Sequence, residues 1–283
     1  MNETWTVLKL LHWCRDYFAG KGIESARLDA EVLLAKVLGC DRVGLYLRFD
    51  QPLEAGELAT MREWVRRRGC REPVAHLVGT REFYGLSFLC DARALVPRPE
   101  TELLVETALA LLPETNAALC EVGTGSGCVA VSLAKQRPAW RVTATEVSPE
   151  AADLARENIA RLQVEDRVEV CEVSLLDAEA GGFDAVLSNP PYIASGDLAT
   201  LMPEVAQYDP ALALDGGPDG LDVIRKLVPR AREALKPAGW LVVECGAGQA
   251  DAVAELFAAG GFDGVERRCD LAGIERVVIG RRS

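Results

Sequence analysis

The chain has 283 residues, 49% hydrophobic and 26% charged, which is enough to bury a core without disulfide or metal staples and argues against a disordered or fibrous protein. Its formal net charge of −12 is uneven: residues 1–98 hold 15 basic and 13 acidic side chains, residues 99–283 hold 16 and 30. An acidic main body of this kind is poorly suited to gripping a phosphate backbone, and no apolar run reaches the roughly 18 residues of a membrane helix.

In chain order, residues 1–80 read as short helices. Val7, Leu8, Leu10, Leu11 and Cys14 share a stripe that stops at Gly20 and Gly22. Ser25 is expected to cap a second helix with Leu28, Val32, Leu33, Val37 and Leu38 inside. Asp41 opens a third, carrying Val43, Leu45 and Tyr46, and Leu58, Met61, Trp64 and Val65 stripe a fourth that ends at Gly69. Pro73 starts a last turn, closed by Gly79. The run Arg66, Arg67, Arg68 and Arg71 reads first as a solvated helix end, where cations suit the dipole, and second as a docking patch.

Residues 81–98 are expected to form a β-hairpin linker, with Phe83, Tyr84, Leu86 and Phe88 around Gly85, and Pro97 and Pro99 stiffening its exit. From residue 99 to 283 strands and helices alternate. Predicted strands are Ala118–Val122, Val142–Glu146, Val168–Cys171, Ala185–Ser188, Trp240–Cys245, Val265–Cys269 and Arg276–Ile279. Predicted helices span Thr101–Leu112, Cys128–Gln136, Pro149–Leu162, Gly220–Leu235 and Ala250–Ala259. The alternation predicts an α/β, doubly wound, mostly parallel sheet, whose final strand runs antiparallel because its connection is too short for a helical crossover.

Nine cysteines without a CxxC pair, in a chain that opens on a helical stripe rather than an export signal, read as reduced thiols of a cytoplasmic protein and hold no metal spacing. The two histidines, His12 and His76, lie far from the motifs below, which disfavours histidine-assisted nucleophiles.

Three features carry chemistry. Gly123-Thr124-Gly125-Ser126-Gly127 follows a predicted strand and opens a predicted helix, so its backbone can approach a ligand closely. A dinucleotide fingerprint would place its third glycine at Cys128, so the spacing favours a nucleoside without phosphates, such as S-adenosylmethionine. Glu146 ends the next strand, 19 residues after Gly127, where a carboxylate can accept from both ribose hydroxyls. Asn189-Pro190-Pro191-Tyr192 follows the strand Ala185–Ser188. Its prolines set φ and remove two donors, leaving carbonyl and Asn189 acceptors and a Tyr192 face for a planar NH2 group. That strand should lie beside the one leading to Gly123, at the topological switch point.

On these residues the chain resembles the release factor glutamine methyltransferases, the PrmC/HemK family. The resemblance extends to Arg27-Leu28-Asp29-Ala30-Glu31, Gly79-Thr80-Arg81-Glu82-Phe83-Tyr84, Val96-Pro97-Arg98-Pro99-Glu100-Thr101-Glu102, Asp215-Gly216-Gly217 and Asp219-Gly220-Leu221. Family members often have aspartate where Glu121 stands. The resemblance implies a helical N-terminal domain that recognises substrate, a hairpin, and a Rossmann-like seven-stranded S-adenosylmethionine-dependent methyltransferase domain. It implies methylation of the side-chain amide nitrogen of the glutamine in the Gly-Gly-Gln loop of peptide-chain release factors, without metal, membrane or direct nucleic-acid contact. Gly123, Thr124, Gly125, Ser126 and Gly127 would bind the cofactor's methionine part and Glu146 its ribose. Ser174 and Leu175 stand where many members carry an acid and a bulky neighbour near the adenine, and Asn189 would touch both cofactor and substrate. Pro190, Pro191 and Tyr192 would frame the glutamine, with Asn189, Pro190 and Tyr192 catalytic. The alternatives are a glutamine methyltransferase for a ribosomal protein, an N6-adenine methyltransferase acting on nucleic acid, a nicotinamide oxidoreductase and a non-catalytic binding module. The acidic body disfavours the second of these, and Cys128 with the proline corner the third.

Overall fold

A computed structural model describes residues 4–176 and 181–283. The chain divides into two compact units, residues 1–80 with 203–208, and residues 81–202 with 209–283.

The first unit contains five consecutive helices, α1 (Val7–Gly20), α2 (Ala26–Val37), α3 (Arg42–Tyr46), α4 (Ala55–Gly69) and α5 (Val74–Val78). Side-chain caps start two of them: Thr6 accepts from the Lys9 amide, and Asp41 from the Gly44 amide at 2.7 Å. Glu54 and Glu57 form a capping box at α4. Ser25 makes no side-chain cap, since its ψ of 19° lies outside the extended region a cap needs. The α2 stripe is also rotated from expectation. Ala26, Ala30, Leu33 and Leu34 are buried beside Val7, Phe18, Leu45 and Met61, while Leu28 is exposed.

That rotation buries Asp29 and Glu31 as well, and each is met by arginine. Glu31 accepts from Arg27, Arg42 and Tyr46 at 2.6–3.0 Å. Asp29 takes Arg68 Nε at 2.7 Å. Within the arginine run, Arg66 is a solvated helix end as expected, whereas Arg67, Arg68 and Arg71 are drawn into ion pairs with less exposed carboxylates. Arg66 pairs with Glu63, Arg67 with Glu72, and the side chain of Arg68 is 5% exposed. Arg68 and Arg71 both hold Glu204, on the short helix α9 introduced below, at 2.8 and 2.7 Å.

The second unit opens with the hairpin β1 (Thr80–Phe83) and β2 (Leu86–Leu89), whose first residue ends the preceding unit. Tyr84 and Gly85, at φ 49° and 73°, make its two-residue turn. There follow α6 (Glu102–Leu111), β3 (Ala118–Val122), α7 (Cys128–Gln136), β4 (Arg141–Glu146), α8 (Pro149–Arg161), β5 (Val168–Glu172), β6 (Phe183–Ser188), α10 (Asp222–Ala234), β7 (Leu235–Glu244), α11 (Ala250–Ala259), β8 (Phe262–Cys269) and β9 (Glu275–Arg282), while α9 (Pro203–Tyr208), between β6 and α10 in the chain, belongs to the first unit. The seven-stranded sheet has the order β5-β4-β3-β6-β7-β9-β8. The first five strands are parallel, and β9 runs antiparallel between β7 and β8. This is the mixed α/β architecture the strand–helix alternation predicts.

Strand periodicity divides the core between the two faces. Val277 and Ile279 pack with Leu119, Trp140 and Ala144 on one side, Val278 with Cys120, Leu241 and Phe257 on the other. Phe83 and Phe88 carry the hairpin into the first of these clusters. Among the described residues no helix is long and apolar enough to cross a membrane.

Arg68→Ala would leave Asp29 buried without its ion partner, and a loss of about 3–5 kcal/mol is expected. Arg66→Ala, at an exposed pair, should leave the denaturation midpoint close to that of the parent. Chemical denaturation of both variants checks the contrast, and equal effects would refute the assignment of Arg68 as a structural residue.

Candidate functional site

The topology reverses at β3, which pairs with β4 on one side and β6 on the other. The register places Val122 opposite Ser188, so the glycine turn and the Asn189 corner leave the same sheet edge side by side. The Ser188 hydroxyl donates to the Val122 carbonyl at 2.8 Å and fastens the two strand ends together.

A cavity of about 290 Å³ opens at this edge. Of the residues expected from sequence, Gly123, Thr124, Gly125 and Ser126 line it, as do Glu146, Ser174, Leu175, Asn189, Pro190 and Pro191. Gly127 and Tyr192 are not among its lining residues. Gly127 precedes α7 at φ 81°, a left-handed conformation that favours glycine, and a Cβ there would meet Ala155 of α8 at 3.4 Å. Tyr192 is half-buried, and its hydroxyl donates to Glu244 Oε1 at 3.4 Å. Burial, reinforced by Glu244, pushes its phenol pKa up.

The glycine turn is held from beneath by Glu121, whose Oε2 accepts from Thr124 Oγ1 at 2.6 Å and the Ala130 amide at 2.9 Å. Desolvation raises this carboxyl to about 7 against those two hydrogen bonds. Glu146 closes the turn from above. Its Oε2 accepts from the Gly125 amide at 2.9 Å, and its Oε1 from the amides of Val147 and Ser148 at 2.9 and 3.0 Å. Three of the roughly four acceptor positions of a carboxylate are thus already used.

Several contributors gave no motif in the sequence. Asn158 of α8 is fully buried and spends its amide on both backbone groups of Leu89 and on the Ser126 carbonyl, tying hairpin to turn. Leu175 adopts φ 62°, a conformation costly for a branched side chain, with its carbonyl held by the Thr145 hydroxyl at 2.6 Å. Asp209 accepts from the Val96 amide and from Arg98, fixing the linker where Pro97, Arg98 and Thr101 line the cavity.

The proline corner is locked by backbone proximity. A Cβ on Gly216 would fall 2.7 Å from the Pro191 carbonyl, and one on Gly220 would overlap the Tyr192 carbonyl. This is the physical reason for glycine in the segments Asp215–Gly217 and Asp219–Leu221. Gln249 Nε2 donates to the same Tyr192 carbonyl at 2.9 Å. Asn189 donates from Nδ2 to Thr101 Oγ1 at 3.0 Å. Behind them Glu244, 1% exposed, is raised to about 7 by desolvation. His12 and His76 both belong to the helical unit and are not among the residues lining this cavity.

Residues 9–79 match the family model described as the PrmC N-terminal domain, and residues 99–208 that of the methyltransferase small domain. The chain is 49% identical over 280 residues to the release factor glutamine methyltransferase of Geobacter sulfurreducens, covering 99% of this chain and 98% of the relative. It is 42% identical over 288 residues to that of Rhodopirellula baltica, covering 98% and 97%. Among solved structures, the hMettl16 catalytic domain aligns with a TM-score of 0.60 at 18% identity, over 73% of this chain and 80% of its own. A methyltransferase from Pyrococcus furiosus aligns with a TM-score of 0.54 at 21% identity, over 71% and 91%. At these identities the structural likeness shows the fold alone.

The raised Glu121 carboxyl has a consequence for stability. Unfolded, it ionises near its ordinary 4.5; folded, near 7. The stability it contributes is therefore present below pH 4.5 and lost as pH rises through about 7, by about 3 kcal/mol. In thermal unfolding between pH 5 and 8, Glu121→Gln should gain on the parent protein as pH rises. Parallel pH profiles would contradict the buried, protonatable carboxyl.

Proposed function

Because the chain belongs to the release factor glutamine methyltransferase family and is an S-adenosylmethionine-dependent methyltransferase, we propose that it methylates the side-chain amide nitrogen of the glutamine in the Gly-Gly-Gln loop of peptide-chain release factors, in the cytoplasm. The observation that carries this reading is the pairing of Val122 with Ser188, which sets an acceptor corner next to a nucleoside-type glycine turn.

The cavity residues fit the cofactor. A glycine turn with φ of 73°, 55° and 81° at Gly123, Gly125 and Gly127 exposes backbone to a ligand without the loop length a diphosphate needs. Glu121 and Glu146 line the same space, and each in its ionised form favours a cationic sulfonium. Glu146 keeps about one acceptor position, enough for a single ribose hydroxyl; a second would have to displace the Gly125 amide. Ser174 and Leu175 would border the adenine. When bound, the cofactor supplies a methyl group already activated by its sulfonium.

The chain's own residues would then position and polarise the acceptor. An amide nitrogen is a weak nucleophile because its lone pair is delocalised into the carbonyl. Asn189 Oδ1 and the Pro190 carbonyl would accept its two N–H bonds, orienting the nitrogen and stabilising the positive charge that grows on it. Pro191 borders the same space. Tyr192 would act through its hydroxyl on Glu244 and its carbonyl on Gln249, by keeping the corner rigid. No nucleophilic side chain is called for, and the proton can leave once the nitrogen has become acidic.

The helical unit is proposed to recognise the release factor. Incubation with methyl-labelled S-adenosylmethionine and purified release factor should label one glutamine; label found only on a ribosomal protein, or only on DNA or RNA, would replace this reading. Asn189→Ala should lower turnover about 100-fold while the thermal midpoint stays near that of the parent. Turnover within about twofold of the parent would remove Asn189 from the chemistry.

A further inference from the structure

The exposed apolar side chains of the second unit are gathered, not scattered. Among its described residues five large ones are exposed: Val147, Met202, Leu212, Leu271 and Ile274. Each stands in a connection that begins at the sheet edge bearing the cavity, Val147 after β4, Met202 and Leu212 between β6 and α10, and Leu271 and Ile274 between β8 and β9. The helices of this unit, and the connections leading from them into strands, contribute none among the described residues. Val147 and Leu212 line the cavity itself. A lone apolar side chain on a surface needs no explanation; a set confined to the loops of the reactive edge marks a contact.

Leu271 is wholly exposed, and its loop is built to hold it so. The register runs level from Ser188 through Val243 to Val278, so the β8–β9 connection leaves the sheet at the same edge as the Asn189 corner. Two strand spacings, about 10 Å, separate β9 from β6, and Ile274 stands four residues beyond that row, about 13 Å along the strand. Asp270 ties the connection into a closed turn. Its amide donates to the Ile274 carbonyl at 2.8 Å, its Oδ1 accepts from the amides of Ala272 and Ile274 at 2.9 and 3.0 Å, and its Oδ2 accepts from Arg276 Nε at 3.1 Å. Gly273, at φ 78°, donates its amide to the Asp270 carbonyl and supplies the left-handed residue the turn needs. Leu271 is thus carried on a backbone already ordered, which lowers the entropy lost when a partner covers it.

The charges at the cavity indicate what kind of partner that is. Three cations line it, and two are already neutralised, Arg93 by Asp91 and Glu157 and Arg98 by Asp209. Only Lys226 is left without an ion pair among the described residues. An apolar rim with so little free positive charge fits a protein surface and not a phosphodiester backbone. We infer that Leu271, with Ile274 beside it, is an apolar anchor that docks the body of the release factor next to the cavity while the glutamine loop enters at the Asn189 corner. This role rests on the proposed function for the identity of the partner. The ordered turn and its place at the reactive edge do not depend on that reading.

Replacing a side chain this exposed leaves the fold in place, so steady-state kinetics on intact release factor test the anchor directly. Leu271→Ser should raise KM for release factor about tenfold, with kcat at saturation and the Kd for S-adenosylhomocysteine within about twofold of the parent. Leu271→Met, which keeps an apolar side chain of similar volume, should stay within about twofold of the parent KM. Because the contact is apolar, the penalty of Leu271→Ser should persist at high salt. A Leu271→Ser enzyme with the parent's KM would overturn the anchor, and so would a loss confined to kcat, which would place Leu271 at the reacting atoms. Sedimentation gives a further check: a parent chain that dimerises, and a Leu271→Ser chain that does not, would assign the anchor to a second copy of the protein and overturn the inference as well. Methylation of release factor by the parent with an indifferent Leu271 would overturn the anchor alone; absence of that methylation would overturn the proposed function, and the release factor as the anchor's partner with it.

Discussion

The parallel pairing of β3 with β6 is the constraint on which the site depends. Both strands are buried, and their register brings Val122 level with Ser188. A parallel register sets chain direction as well as position, so both strands release their loops at the same edge. The glycine turn and the Asn189 corner are 66 residues apart in the chain. They become neighbours because the order of strands reverses at β3, leaving a crevice that neither neighbouring helix covers.

Around that crevice the protein replaces mobility with buried polar contacts. Glu121 grips the turn from below, Glu146 from above, and Asn158 ties it to the hairpin. Gly216 and Gly220 allow backbone to press against Pro191 and Tyr192, and Gln249 takes up the carbonyl this leaves exposed. Most of these groups would be costly to bury singly; satisfied together they hold the lining groups in one arrangement. Positioning of this kind suits a reaction in which the methyl donor is already activated and the acceptor is a poor nucleophile.

The helical unit follows the same economy with charge. The run Arg66–Arg71 looked from the sequence like solvated or docking residues, and Arg27 and Arg42 carried no reading of their own as ion-pair partners. In the fold, Asp29, Glu31, Glu72 and Glu204 meet them. The side chain of Arg68 is almost wholly buried, a setting that suits a planar guanidinium able to serve Asp29 and Glu204 at once. What this unit leaves exposed is instead partly apolar, with Leu28, Val43, Tyr46 and Leu47 uncovered.

Local pattern was enough for the elements and the motifs. The predicted spans Ala118–Val122, Cys128–Gln136 and Ala250–Ala259 coincide with β3, α7 and α11, because apolar period and glycine or polar punctuation agree there. The glycine turn, Glu146 and the Asn-Pro-Pro-Tyr segment could be singled out for the same reason: each is a short run whose chemistry is carried by adjacent residues. The rotation of α2 and the burial of Arg68 could not. Nor could the roles of Asn158, Thr101, Gln249 and Glu244. Each of these side chains meets a partner between 39 and 88 residues away. A lone polar side chain carries no mark of which distant group will satisfy it; burial and hydrogen-bond geometry assign that partner once the sheet has assembled.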